Sequence, residues 1–97
     1  MDIGKAIKQA RQQRGLKQNA FAEMCQITPS YLSQIEKNQK DINLSKLKAI
    51  AEALEMPLQI LFFLSMTDED IQPNKREAYK IIEPSIKALI NQFFITN

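Results

Sequence analysis

Apolar side chains recur at three- and four-residue spacing along nearly the whole chain, which predicts helices that each bury one face. Ile3, Ala6, Ile7 and Ala10 define a first helix, with Asp2 placed to cap it and Gly15 to end it in left-handed backbone. Leu16 then re-enters the core, and a short second helix follows from Gln18 to Cys25 on Ala20, Phe21, Met24 and Cys25. Thr28-Pro29 is a strong start signal, a hydroxyl that can accept a backbone N–H followed by a ring suited to the first helical position. The third helix, Pro29 to about Lys37, has a narrow apolar stripe of Leu32 and Ile35 with Tyr31 beside it. Ser30, Ser33, Gln34 and Lys37 are left facing outward.

A polar loop covers Asn38 to Asn43, after which Leu44, Leu47, Ile50, Ala51 and Leu54 describe an amphipathic fourth helix. Pro57 opens a fifth through Leu58, Ile60, Leu61, Phe62, Phe63 and Leu64. That segment is apolar nearly all round, so it is expected to be buried on most faces and to anchor the core, each large side chain contributing roughly 1.5–3 kcal/mol. Ser65 to Asn74 turns acidic and contains Pro73, the mark of a joint. Beyond it Lys75 to Phe94 is helical in pattern, with Pro84 predicting a kink or two helices meeting near Glu83.

This pattern divides the chain into residues 1–64, a linker over 65–74 and a helical extension over 75–97. Its 97 residues suffice for one modest core with an appended helix. The fold class is all-α. The net charge of +2 is unremarkable, but its distribution is uneven. Every charge between Ile3 and Ala22 is positive, from Lys5, Lys8, Arg11, Arg14 and Lys17, whereas Asp68, Glu69 and Asp70 cluster at the joint. A basic front suits a protein that meets a polyanion with one face.

With no histidine and one cysteine, the usual base–nucleophile pairs and zinc ligand sets are missing, and there is no glycine-rich phosphate loop. The chain is therefore not expected to be an enzyme, nor to hold a metal or cofactor. Cys25, among Ala22, Met24 and Ile27, reads as a small core side chain. No stretch approaches the ~20 apolar residues needed to span a bilayer, and the amino terminus lacks the apolar run of a signal peptide, so a cytoplasmic location is expected.

Two short helices joined by a turn of about four residues, the second with a polar outward face, have the geometry of a DNA-binding helix-turn-helix over Gln18 to Asn38. The text also resembles the lambdoid phage repressor and Cro group, the Xre family. The resemblance is carried by Gly15-Leu16-Lys17-Gln18, by Phe21-Ala22-Glu23 and by Ile27-Thr28-Pro29-Ser30-Tyr31-Leu32-Ser33-Gln34-Ile35-Glu36-Lys37-Asn38. Leu44 to Leu54 and Met56 to Leu64 match that family's fourth and fifth helices. About residues 3 to 64 are covered, implying a five-helix lambda-repressor-like domain that binds double-stranded DNA and regulates transcription.

By position, the resemblance implies that Pro29, Ser30, Ser33 and Gln34 face base edges, with Gln34 suited to bidentate pairing with adenine. It implies phosphate or backbone contacts from Gln18, Thr28, Lys37, Asn38, Gln39 and Lys40, which set register and affinity without reading sequence. It also implies a buried structural ion pair of Arg11 with Glu36. Two family glycine positions hold Gln26 and Asn38 here. Gln26 must adopt a positive φ or let the turn take another shape, and Asn38 tolerates the left-handed region well. Pro29 offers no side-chain hydrogen bond, leaving one base-reading slot to shape or apolar contact.

One recognition helix reads only a few base pairs, so a homodimer that pairs through the tail and reads a (pseudo)palindromic operator is expected. Ile82, Ile86, Leu89, Ile90 and Phe93 form the apolar surface assigned to that pairing. The alternatives are a tail that folds back on its own domain, and an antitoxin-type module that grips a partner protein and binds DNA secondarily.

Overall fold

The computed structural model describes residues 1–95, which form six α-helices and no strand. They are α1 (Ile3–Gln13), α2 (Gln18–Met24), α3 (Pro29–Glu36), α4 (Leu44–Ala53), α5 (Leu58–Ser65) and α6 (Arg76–Ile90). Two 3-10 turns, Asp68–Asp70 and Pro73–Lys75, occupy the joint before α6, and a π-helical turn, Asn91–Ile95, extends it. The last two residues assigned to the extension lie outside the described residues.

Local chemistry sets the helix ends. Asp2 Oδ1 accepts the Lys5 amide at 3.1 Å, Thr28 Oγ1 the Tyr31 amide at 3.1 Å and Asn43 Oδ1 the Lys46 amide at 2.8 Å, so α1, α3 and α4 each start on a capping side chain. The first four helices all stop in the same way. A residue in left-handed backbone follows each: Gly15 (φ 72°), Gln26 (φ 58°), Asn38 (φ 58°) and Glu55 (φ 56°). The next amide then bonds back into the last turn, Leu16 to Arg11 O, Ile27 to Ala22 O, Gln39 to Gln34 O and Met56 to Ala51 O. Gln26 thus takes the left-handed conformation, and the turn between α2 and α3 keeps its shape without glycine.

Ile7, Phe21, Leu32, Ile35, Ile50, Leu54 and Leu61 are fully buried and draw the first five helices onto one core. Some expected core positions fall elsewhere. Met24 is 51% exposed, turned away from the face of Phe21, Ala22 and Cys25, and Leu44 is 54% exposed at the first residue of α4, a turn before the buried Leu47. In α5 only Leu61 and Ser65 are buried, while Leu58, Ile60, Phe62, Phe63 and Leu64 are half-buried. This corrects the expectation of burial on most faces: an apolar helix at the margin of a small bundle has neighbours on one side and shallow clefts on the others.

Helix α6 runs unbroken through Pro84, so two helices do not meet there. The carbonyl that the proline leaves without its usual donor belongs to Lys80, an exposed residue whose backbone water can serve. The tail folds onto the chain's own core. Tyr79 packs on Phe63 with ring centroids 6.3 Å apart, and Tyr79, Ile90 and Ile95 are buried. Ile86 is half-buried against the same core. The joint is tied down as well, the Asp2 amide donating to Ser65 O at 2.7 Å and Arg76 Nε to Asp68 O at 2.8 Å.

Gly4 is where α1 crosses the end of α3. A Cβ there would lie 2.4 Å from Ile35 O and 2.9 Å from Glu36 O, both backbone atoms. Gly4→Ala is expected to force the two helices apart and lower stability by about 1–3 kcal/mol. A thermal unfolding midpoint equal to that of the parent chain would refute this crossing as a point of tight packing.

Candidate nucleic-acid interface

Helix α3 carries its buried residues, Leu32, Ile35 and Glu36, on one face. At about 100° per residue, Ser30, Gln34 and Lys37 fall on the opposite face. Pro29, Ser30 and Lys37 are exposed, and Ser33 and Gln34 half-buried. The tail reaches the bundle through Phe63, Leu64 and α1, as the neighbours of Tyr79 and the lining of the α1–α6 groove establish.

Behind that face lies a charge cluster with almost no access to water. Arg11 Nε donates to Glu36 Oε2 at 2.7 Å and Nη2 to Glu36 Oε1 at 3.1 Å, with side-chain exposures of 9% and 2%. Arg11 Nη1 donates to Leu16 O at 2.8 Å, and Gln18 Nε2 to Glu36 Oε1 at 3.1 Å. The carboxylate therefore ties α1, the first residue of α2 and the end of α3, and the guanidinium adds the turn after α1. The second hydrogen of Gln18 Nε2 is left for a further acceptor.

Thr28 is exposed, and since its oxygen accepts the Tyr31 amide its own O–H remains a donor. Lys37, Gln39 and Lys40 are exposed. Asn38 is exposed as well, and both ends of its side chain are also engaged within the chain. Its Oδ1 accepts the Gly4 amide at 3.1 Å and its Nδ2 donates to Asp2 Oδ1 at 2.7 Å. Those bonds, from Asn38 first and the Lys5 amide second, hold the Asp2 carboxyl below its ordinary value.

Arg14, counted in the sequence with the basic front, is a structural residue that composition gives no means to distinguish. Its Nη1 donates to Leu54 O at 2.5 Å and lies 3.5 Å from Phe94 O, and its Nη2 pairs with Glu55. Cys25 is buried, which pushes its thiol up to about 11 and keeps it protonated at neutral pH. No described helix is long and apolar enough to cross a membrane.

Residues 7–61, from the second turn of α1 into α5, match a family described as helix-turn-helix. The chain belongs to that family, a helix-turn-helix of the phage repressor and Cro kind. Among curated relatives, the HTH-type transcriptional regulator RamB of Mycobacterium tuberculosis is 35% identical over 75 residues, spanning 77% of this chain and 15% of RamB. This chain thus corresponds to a small part of RamB's length. The immunity repressor protein of Bacillus phage phi105 is 30% identical over 97 residues, covering 88% of this chain and 67% of the repressor. The clp gene regulator ClgR of Corynebacterium glutamicum shares the fold, with a TM-score of 0.67 at 21% identity over 87% of this chain and 89% of that one.

Removing one partner of a buried pair strands the other charge in a site that water cannot reach. Glu36→Ala is expected to cost about 3–5 kcal/mol of folding stability, read by chemical denaturation. A variant that melts like the parent would show that Arg11 finds compensation elsewhere and that the pair does not hold the helices.

Proposed function

We propose that the chain binds double-stranded DNA sequence-specifically through α3 and acts as a homodimeric repressor at a two-fold-symmetric operator. The observation that carries the reading is the polar face of Ser30, Gln34 and Lys37 on a helix whose other side is locked by the Arg11–Glu36 pair. A helix held this way can enter the major groove, where each base pair presents a distinct pattern of donors and acceptors. Gln34 pairs with adenine through its carboxamide, Ser30 serves either kind of base edge, and Pro29 and Ser33 border them with apolar and short polar contacts. Gln18, through its remaining Nε2 hydrogen, and Thr28, Lys37, Gln39 and Lys40 meet phosphates. The repressing sense is supported by the similarity to a phage immunity repressor.

The dimer reading concerns the outward face of α6. Ile90 is buried in the chain's own core and is not available to a second copy as the sequence pattern suggests, and Ile86, half-buried there, is available only in part. What remains is a seam of Ala78, Ile82, Ser85 and Leu89 at four-, three- and four-residue steps, all exposed, continued by Phe93. Such steps suit a helix that pairs with another at a shallow angle. Ile82 is 51%, Leu89 54% and Phe93 70% exposed, more than isolated surface residues explain.

Selection of bound sequences from random duplexes tests the reading of α3. The enriched site is expected to contain two inverted half-sites, and Gln34→Ala to relax preference at one position in each, by ~1–3 kcal/mol. Unchanged preference at every position removes Gln34 as a base reader. For the seam, Leu89→Glu is expected to turn a dimer into a monomer in sedimentation without lowering the melting temperature. A dimer that survives the substitution would place the interface elsewhere.

A further inference from the structure

Lys46 is the third residue of α4, its amide capped by Asn43. Its ammonium lies 4.3 Å from the centroid of the Tyr31 ring and donates to Tyr31 Oη at 3.3 Å. Tyr31 is half-buried on α3 and is next to Gln34 around the helix, well away from Glu36, which takes the bond from Gln18 of α2. The reading face therefore has Gln18 along one edge and Lys46 along the other.

Three features set this lysine apart from an ordinary solvated side chain. Among the described residues it forms no ion pair, so its charge is not spent on a carboxylate. It stands in the first turn of a helix, where the macrodipole disfavours a cation, so the position is not explained by helix stability. Its ammonium is held over the aromatic ring and on the phenol oxygen, which orders it while leaving further N–H donors free.

We infer that Lys46 is a phosphate contact on the far wall of the groove and that Tyr31 is the residue that positions it. A major groove is bounded by two phosphate strands, and a helix lying in it meets both. The α2 edge serves one strand through Gln18 and Thr28, and the Lys46–Tyr31 pair serves the other. The inference rests on the DNA-binding reading above. The pair would fix how deeply and at what roll α3 lies, with no preference for any base.

The test measures affinity of the full chain for its best selected duplex as a function of salt. Lys46→Gln is expected to weaken binding about tenfold near 0.1 M salt and to reduce the logarithmic salt slope by about one, equally for all sequences. Tyr31→Phe, which keeps the ring, retains most of the affinity. Tyr31→Leu loses a good part of it, but has no further effect once Lys46 is Gln; two independent structural roles would instead add. Unchanged affinity and slope in Lys46→Gln, with the parent chain binding normally, overturns this inference and leaves the DNA-binding reading standing. A change confined to one base position makes Lys46 a reader and likewise overturns it. Failure of the parent chain to bind any duplex overturns both.

Discussion

A carboxylate taken out of water costs several kcal/mol unless donors replace its hydration, and Glu36 meets that demand with three donors from two side chains on different helices. The constraint runs in both directions. Glu36 keeps its hydrogen-bond partners only while α1 and α2 hold Arg11 and Gln18 in place, and α3 is held at its angle only while Glu36 stays paired. An apolar contact of the same area would tolerate a slide or a roll of α3. A bidentate fork with 2.7 Å and 3.1 Å legs does not. A recognition helix needs that restriction, because a hydrogen bond to a base edge fails with a displacement of well under an ångström.

The helix ends reinforce this geometry by local means. Each of the first four helices closes with a left-handed residue and an amide that returns to the last turn, so each new segment leaves in a defined direction. Three of those four residues are not glycine, and a side chain in that region costs roughly 1–2 kcal/mol. Asn38 recovers part of the cost through its bonds to Gly4 and Asp2, and Glu55 through its pairing with Arg14. Gln26 is exposed and has no such bond among the described residues, so the turn between α2 and α3 carries a cost that the packing on either side offsets.

What could be read from the sequence follows from what is local. Caps at Asp2, Thr28 and Asn43, and the three-to-four spacing of Ile7, Leu32, Ile50 and Leu54, act within one or two turns, and the helices stand close to where those signals put them. The α3 face was legible for the same reason. Arg14 was not, because its acceptors Leu54 and Phe94 are carbonyls 40 and 80 residues away and leave no trace in composition. The internal bonds of Asn38 were equally illegible, because its partners, Gly4 and Asp2, are brought to it only by the crossing of α1 over α3. In the tail, spacing of three and four residues cannot separate two adjoining apolar faces, so Ile86 and Ile90, turned to the core, were grouped with Ile82, Leu89 and Phe93, turned to solvent.

That division of α6 bears on how the proposed dimer would measure DNA. Tyr79, Ile90 and Ile95 fasten the tail to the bundle, and Arg14 reaches both the α4–α5 turn and Phe94 O. The inner face of α6 is therefore continuous with the core that props α3, and the outer face inherits its rigidity. Two copies joined through the Ile82, Leu89 and Phe93 seam would hold their recognition helices at a separation set by packing, with no flexible linker between them. Since half-sites on one side of a duplex recur every ~34–36 Å, a rigid path from seam to α3 confines such a dimer to operators of one spacing, and base contacts need only discriminate among sites already in register.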